Sequence, residues 1–208
     1  MTDRRGLDWG TSSALHEERL EAVAEQLSAG PTDLLVDLGC GSGALMERLL
    51  LERGVGHVLG VDNSPVALVE ARERLDTPQN RGRWTLREGN ITGAQPDLPG
   101  VDAVALIETI EHLNPSHLSR LERAVFSLHP TLIAITTPNR EYNPVYGLRS
   151  GEYRHPDHMF EWDRRRFEGW ATGVGTRNGY TVHFEGIGPT HAWYGAPTQL
   201  AVLRKQLP

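Results

Sequence analysis

The sequence predicts an open α/β sheet of seven strands, mostly parallel, with helices on both faces and an antiparallel hairpin at one edge. Three observations carry this expectation. Short apolar runs at residues 34–38, 58–61, 101–107 and 132–136 have the length and composition of buried strands. Segments of helical pattern stand between most of them, and that alternation is the mark of a parallel sheet covered on both sides. The chain then closes on two strand-like runs, 180–185 and 199–204, without a helix between them.

The elements follow in order. Residues 1–14 are mostly polar and are expected to be loose, leaving a single domain over 15–208. Residues 15–29 carry Leu15, Leu20, Ala22, Val23, Ala24 and Leu27 among charges, a helical spacing. The first strand, 34–38, runs into Gly39, and 44–52 is helical. The second strand, 58–61, is closed by Asp62. Asn63-Ser64-Pro65 combines a capping residue with proline in the first turn, so a helix starts there and reaches about residue 75. Residues 84–87 are a weak third strand and 101–107 a strong fourth. An amphipathic helix over 116–128 leads to a fifth strand at 132–136. Residues 137–162 are polar and aromatic and carry no clear period, and 164–176 is helical.

Bulk properties narrow the class. A chain of 208 residues suits one domain with a sizeable core, and 38% hydrophobic with 23% charged residues is ordinary for a soluble protein. One cysteine, Cys40, excludes an intramolecular disulfide and fits a reducing compartment. No apolar run approaches the ~20 residues that span a bilayer, and the first residues lack a signal-peptide core. A cytoplasmic protein with no membrane association is expected. The net charge of −6 does not fit a broad phosphate-tracking surface, so a nucleic acid would be held at a few contacts near one end.

Two constellations carry chemistry. The first is Asp37-Leu38-Gly39-Cys40-Gly41-Ser42-Gly43 between a strand and a helix. Glycines at alternate positions let the chain turn tightly and bring its backbone close to a ligand. Asp62 follows about 20 residues later at the end of the next strand, where an acid accepts ribose hydroxyls in open α/β folds. This loop resembles motif I of the S-adenosylmethionine methyltransferases. The resemblance implies a Rossmann-like methyltransferase fold, with Asp37 meeting the methionine ammonium and Gly39, Gly41, Gly43, Asp62, Asn63 and Ile107 around the cofactor. It extends to Gly89-Asn90-Ile91 at the adenine edge, where many members carry Asp instead of Asn90 and where the amide is expected to bond the adenine amino group.

The second constellation follows the fourth strand: Glu108-Thr109-Ile110-Glu111-His112. Two carboxylates and an imidazole in five residues suit a divalent cation, and on helical geometry positions 108, 111 and 112 share a face. The competing reading is surface charge on a loop. Residues 153–162, Tyr-Arg-His-Pro-Asp-His-Met-Phe-Glu-Trp, add a fourth ligand from His155 or His158. A mixed nitrogen and oxygen set favours Mn²⁺ over Mg²⁺.

Glu108–Leu113, Thr136–Asn143 (TTPNREYN) and Arg154–Trp162 (RHPDHMFEW) together resemble the small-RNA 3′-terminal 2′-O-methyltransferases, closest to their bacterial branch. The resemblance runs from about Leu15 to Val202. It implies metal ligands at Glu108, Glu111, His112 and His158, with His155 either behind the ligands or facing substrate, and Mn²⁺ or Mg²⁺ coordinated by both hydroxyls of the terminal ribose. It implies transfer of methyl from S-adenosylmethionine to the 2′-hydroxyl at an RNA 3′ end, with an RNA end-healing and ligase partner. His112 belongs to the catalytic set, and a free imidazole such as His155 suits a base. Arg19, Asn139, Arg140 and Arg154 are the candidates for RNA contact, while Phe160 and Trp162 are expected to be core anchors. The rival expectations are a small-molecule O-methyltransferase without metal, a metal-dependent enzyme for a catechol-like diol, and a non-catalytic module of an RNA-repair complex.

Overall fold

The computed structural model describes residues 13–93, 98 and 100–206. Seven strands form one sheet in the order β3-β2-β1-β4-β5-β7-β6. These are β1 (Thr32–Leu38), β2 (Val55–Asp62), β3 (Trp84–Glu88), β4 (Ala103–Ile107), β5 (Leu132–Pro138), β6 (Tyr180–Ile187) and β7 (Thr198–Lys205). The first five run parallel, and β7 lies antiparallel between β5 and β6. The expected antiparallel hairpin stands at one edge, with β6 outermost and β7 interior. That position explains its unbroken burial from Thr198 to Leu203.

Among the described residues five α-helices flank the sheet: α1 (Ser13–Leu27), α2 (Ala44–Leu51), α3 (Pro65–Leu75), α4 (Leu118–Phe126) and α5 (Arg164–Asn178). The core has two apolar layers. One contains Val36, Leu106, Leu121, Ile133 and Phe167; the other contains Val23, Leu35, Met46, Leu49 and Leu200. Alternate residues of β1 thus feed opposite faces, as a sheet covered on both sides requires. Helix starts follow local chemistry. Ser64 Oγ accepts from Ala67 N ahead of Pro65, and Asp163 caps α5 through Arg166 N.

Boundaries moved where tertiary contacts outweigh local pattern. α1 begins at Ser13, two residues before the expected helix start; the rest of the segment expected to be loose, residues 1–12, lies outside the described residues. The expected helix over 116–128 divides into a 3-10 turn at Pro115–His117 and α4. β5 runs on to Pro138 because β7 pairs with it as far as Thr198. Among the described residues no helix is long and apolar enough to cross a membrane.

Candidate active site

The carboxyl ends of β1, β2 and β4 meet at a cavity of about 350 Å³, lined by Gly39, Asp62, Asn63, Asn90, Ile91 and, across from them, Glu108, Thr109, His112 and His117. Gly39, Gly41 and Gly43 all have positive φ, at 84°, 51° and 77°. Gly39 is confined twice over. Besides its φ, a Cβ there would stand 2.7 Å from Thr109 Cγ2. Thr109 in turn donates through Oγ1 to Ile107 O at 3.0 Å, so the glycine loop rests on the end of β4. Asp62 fixes the far side, accepting from Gly41 N and Ser64 N at 2.8 Å each.

Two cofactor-site expectations acquire detail. Asp37 lies beneath the loop, buried, and its carboxyl is pushed up to about 7 by burial and then by Asp62. A buried acid held near neutrality favours a cationic partner. Asn90 lines the cavity, and its Oδ1 accepts from both Thr92 N and Thr92 Oγ1 at 2.9 Å. Ile107 and Gly43 pack behind the cavity rather than lining it.

The acid and histidine cluster is built by two segments that dock on each other. After β4 the chain enters a 3-10 turn, Ile110–His112, with Glu108 before it at φ 49°. The helical-face expectation for Glu108, Glu111 and His112 is therefore corrected: there is no α-turn here. Left-handed backbone in a non-glycine residue costs energy and is held by surrounding bonds. Here Glu108 N donates to Thr136 Oγ1, which donates to Glu108 Oε1, both at 3.0 Å. The post-β5 segment attaches through Met159 N, which donates to Glu111 O at 2.8 Å. Ligand atoms of Glu111, His112 and His158 then lie within 4.8 Å of one another. Glu108 stands outside that cluster, its Oε2 3.4 Å from Arg19.

The donor set fits a divalent cation. Glu111 is fully buried; Oε2 accepts from Thr137 Oγ1 at 3.0 Å, while Oε1 has no partner. Burial, then Glu108, holds its carboxyl well above the usual range. An orphaned buried carboxylate oxygen is costly unless a cation or proton meets it. His112 is lowered by burial and by His158 and His155, which keeps the neutral, ligating imidazole. His158 Nδ1 lies 2.7 Å from Glu161 Oε1. Burial alone would raise Glu161, yet hydrogen bonds from His158, Asn143 and Arg154 outweigh it and hold it low. An ionised Glu161 makes Nδ1 the donor and leaves His158 Nε2 as acceptor, the usual way a carboxylate orients a metal-binding imidazole. Glu161, Thr136 and Thr137 lie inside the motifs that carry the resemblance but were assigned no role there. Glu161 was findable as the acid three residues after His158, whereas the threonines meet their carboxylate partners only through the fold.

The candidate substrate residues divide. Arg140 is exposed. Asn139 and Arg154 are corrected: both are buried and close the loops around the site. Asn139 Nδ2 donates to Tyr194 O and Ala196 O, and its Oδ1 accepts from Glu141 N. Arg154 donates to Asn143 Oδ1, Pro197 O and Asn139 O. The cause is geometric: these carbonyls converge on an interior gap that only a long multi-donor side chain satisfies. Arg154→Met should therefore lower stability by about 3 kcal/mol in denaturant titration, since it leaves buried carbonyls unpaired. Arg19 is likewise buried, bonded to Thr198 Oγ1 at 3.2 Å and facing Glu108. His155 is exposed, 6.0 Å from His112 between ring centres, with Nδ1 accepting from Asp157 N. Phe160 and Trp162 are core anchors as expected, stacked at 4.4 Å.

Comparison with known proteins agrees with this fold. A methyltransferase-domain family model matches residues 35–130. The small RNA 2′-O-methyltransferase of Arabidopsis thaliana is 32% identical over 92% of this chain and 23% of its own length. That of Gallus gallus is 33% identical over 93% of this chain and 54% of its own length. The chain thus spans about half or less of these curated relatives. The solved methyltransferase domain of a bacterial Hen1 protein superposes with a TM-score of 0.82 at 34% identity, covering 93% of this chain and 100% of that domain. One-third identity across an entire solved domain, on the same fold, places this chain in the family of the Hen1 methyltransferase domain.

Proposed function

We propose that this chain transfers a methyl group from S-adenosylmethionine to the 2′-hydroxyl of the 3′-terminal nucleotide of RNA, using Mn²⁺ or Mg²⁺ held by Glu111, His112 and His158 with Glu108 beside them. The observation that carries the reading is the buried, unpartnered Oε1 of Glu111 within that cluster, next to a cavity that His112 and Glu108 share with the glycine loop.

A ribose hydroxyl is a weak nucleophile at neutral pH, and a bound divalent cation supplies Lewis acidity that lowers its pKa. The chain's own residues do the rest. Asp37 receives the cofactor's ammonium and Asp62 its ribose, which fixes the sulfonium methyl relative to the acceptor. Asp157 N engages His155 Nδ1, so Nε2 is the nitrogen free to take the hydroxyl proton. Arg140, exposed at the end of β5, takes a backbone phosphate. Recognition of both vicinal hydroxyls selects the RNA terminus, because an internal nucleotide lacks a free 3′-hydroxyl and DNA lacks the 2′-hydroxyl. By its resemblance to the bacterial branch, the protein works with an RNA end-healing and ligase partner, and the single cysteine fits a cytoplasmic setting.

The test is transfer of labelled methyl to a short synthetic RNA, beside identical RNAs ending in 2′-deoxy or 3′-phosphate and beside a catechol, each with Mn²⁺ or EDTA. Labelling of the unmodified RNA alone, abolished by EDTA, is the expected result. Efficient labelling of the 3′-phosphorylated RNA, or labelling indifferent to EDTA, would sink the chelation scheme. Labelling of catechol but no RNA would move the substrate to a small diol.

A further inference from the structure

We propose that Trp193 is a stacking platform for one base of the RNA a short way upstream of its 3′ end, an inference that rests on the proposed RNA substrate. Trp193 is 81% exposed, more than any other large apolar side chain among the described residues. Its backbone, by contrast, is held firmly. His191 and Gly195 exchange backbone hydrogen bonds of 2.7 and 2.9 Å across the turn that presents it. Trp193 N donates to His191 Nδ1 at 3.2 Å, Arg164 Nη2 donates to Trp193 O at 3.2 Å, and Asn139 Nδ2 donates to Tyr194 O at 2.8 Å. The neighbouring rings, His191 and Tyr194, stack on each other at 4.7 Å. Among the described residues nothing in that scaffold uses the indole, so packing there does not account for a tryptophan.

Its place in the fold points to RNA. The turn hangs on Asn139, and Thr137, two residues earlier on extended chain, bonds Glu111 of the acid and histidine cluster. The turn therefore stands at the same end of β5 as the cluster, where β7 begins beside Pro138, on the sheet edge that a 3′ end seated in the site would leave by. Exposed Arg140 follows Asn139 directly. A net charge of −6 does not fit a broad phosphate-tracking surface, and stacking on a stiff aromatic requires no charge. Tryptophan also loses little side-chain freedom on contact.

The full chain with Trp193→Ala should show an RNA KM raised about tenfold to a hundredfold, with kcat within about twofold, while Trp193→Phe keeps most of the affinity. RNAs carrying one abasic nucleotide at successive positions should show an equivalent loss with wild type at a single position, and no further loss there with Trp193→Ala. RNA should also quench a fluorescence component that Trp193→Phe lacks. Unchanged KM in Trp193→Ala, or abasic losses that add fully to it at every position, would overturn the platform and leave the indole to a protein partner, with RNA methylation itself intact. If no RNA is methylated the proposed function fails separately. Quenching specific to Trp193 would then still support an RNA platform, and its absence would overturn it.

Discussion

Glu111→Gln is expected to lower methyl transfer by at least about 10²-fold while leaving cofactor affinity within a few-fold. Oε1 of Glu111 faces no protein donor, and its neighbours His112 and His158 supply nitrogens within 4.8 Å. An amide in its place removes the anionic oxygen from a cation site, and disturbing even outer partners of such sites costs 10–100-fold. The variant should nevertheless fold. Burial and Glu108 already penalise the wild-type carboxylate, and Thr137 Oγ1 can still donate to the amide oxygen. Thermal unfolding separates this from general damage. In EDTA the variant should melt at or above the wild-type temperature, and only the wild type should gain stability on titration with Mn²⁺. A variant that keeps its activity, or keeps the Mn²⁺ shift, would remove Glu111 from the cation site.

Asp37→Asn should separate stability from function in opposite directions. The wild-type carboxyl sits at about 7 against an ordinary 3.8 because burial and Asp62 oppose its charge. Its folded-state value is raised, so between roughly pH 4 and 7 the native chain holds more protons than the unfolded one. Its contribution to stability then falls as pH rises through that window and is most unfavourable above 7. At about 1.4 kcal/mol per pKa unit, the neutral amide should stabilise the cofactor-free protein by about 2–4 kcal/mol at pH 8, and by little near pH 4. The same substitution removes the partner of the S-adenosylmethionine ammonium. Deleting one member of a buried charge pair costs about 2–5 kcal/mol, or roughly 30-fold to several thousand-fold in affinity. In the wild type, cofactor affinity should drop about tenfold per pH unit below 7, since binding needs the carboxylate. Calorimetry in buffers of different ionisation enthalpy should record about one proton released at pH 6. Flat affinity from pH 5 to 8 would contradict the assignment.

The parts legible in the sequence share one property: local pattern and tertiary demand agree there. Apolar runs at β1, β2, β4 and β5 are buried on both faces, so they stand out against any partner arrangement. Gly39 to Gly43 and Asp62 are adjacent through one strand–helix–strand unit. The cluster of Glu111, His112 and His158 was reached as well, although His158 lies 46 residues beyond His112 and was assigned only through resemblance. The segment at 137–162 gave no period because little of it is regular. It is a 3-10 turn followed by loop, ordered by Arg154, Asn143 and Glu161 rather than by backbone ladders.

By itself the sequence determined the strand and helix order, the glycine loop with its acids, and the residue types able to hold a cation. Only the tertiary structure decided that β7 lies inside the sheet, that Glu108 faces Arg19 instead of joining the cluster, and that Arg154 and Asn139 are internal braces. The physical reason is that periodicity reports which face of an element is buried. Which atom satisfies a buried carbonyl or carboxylate is set by groups that meet only when distant segments fold together, and charge or amide character does not reveal whether a side chain turns toward solvent or toward them.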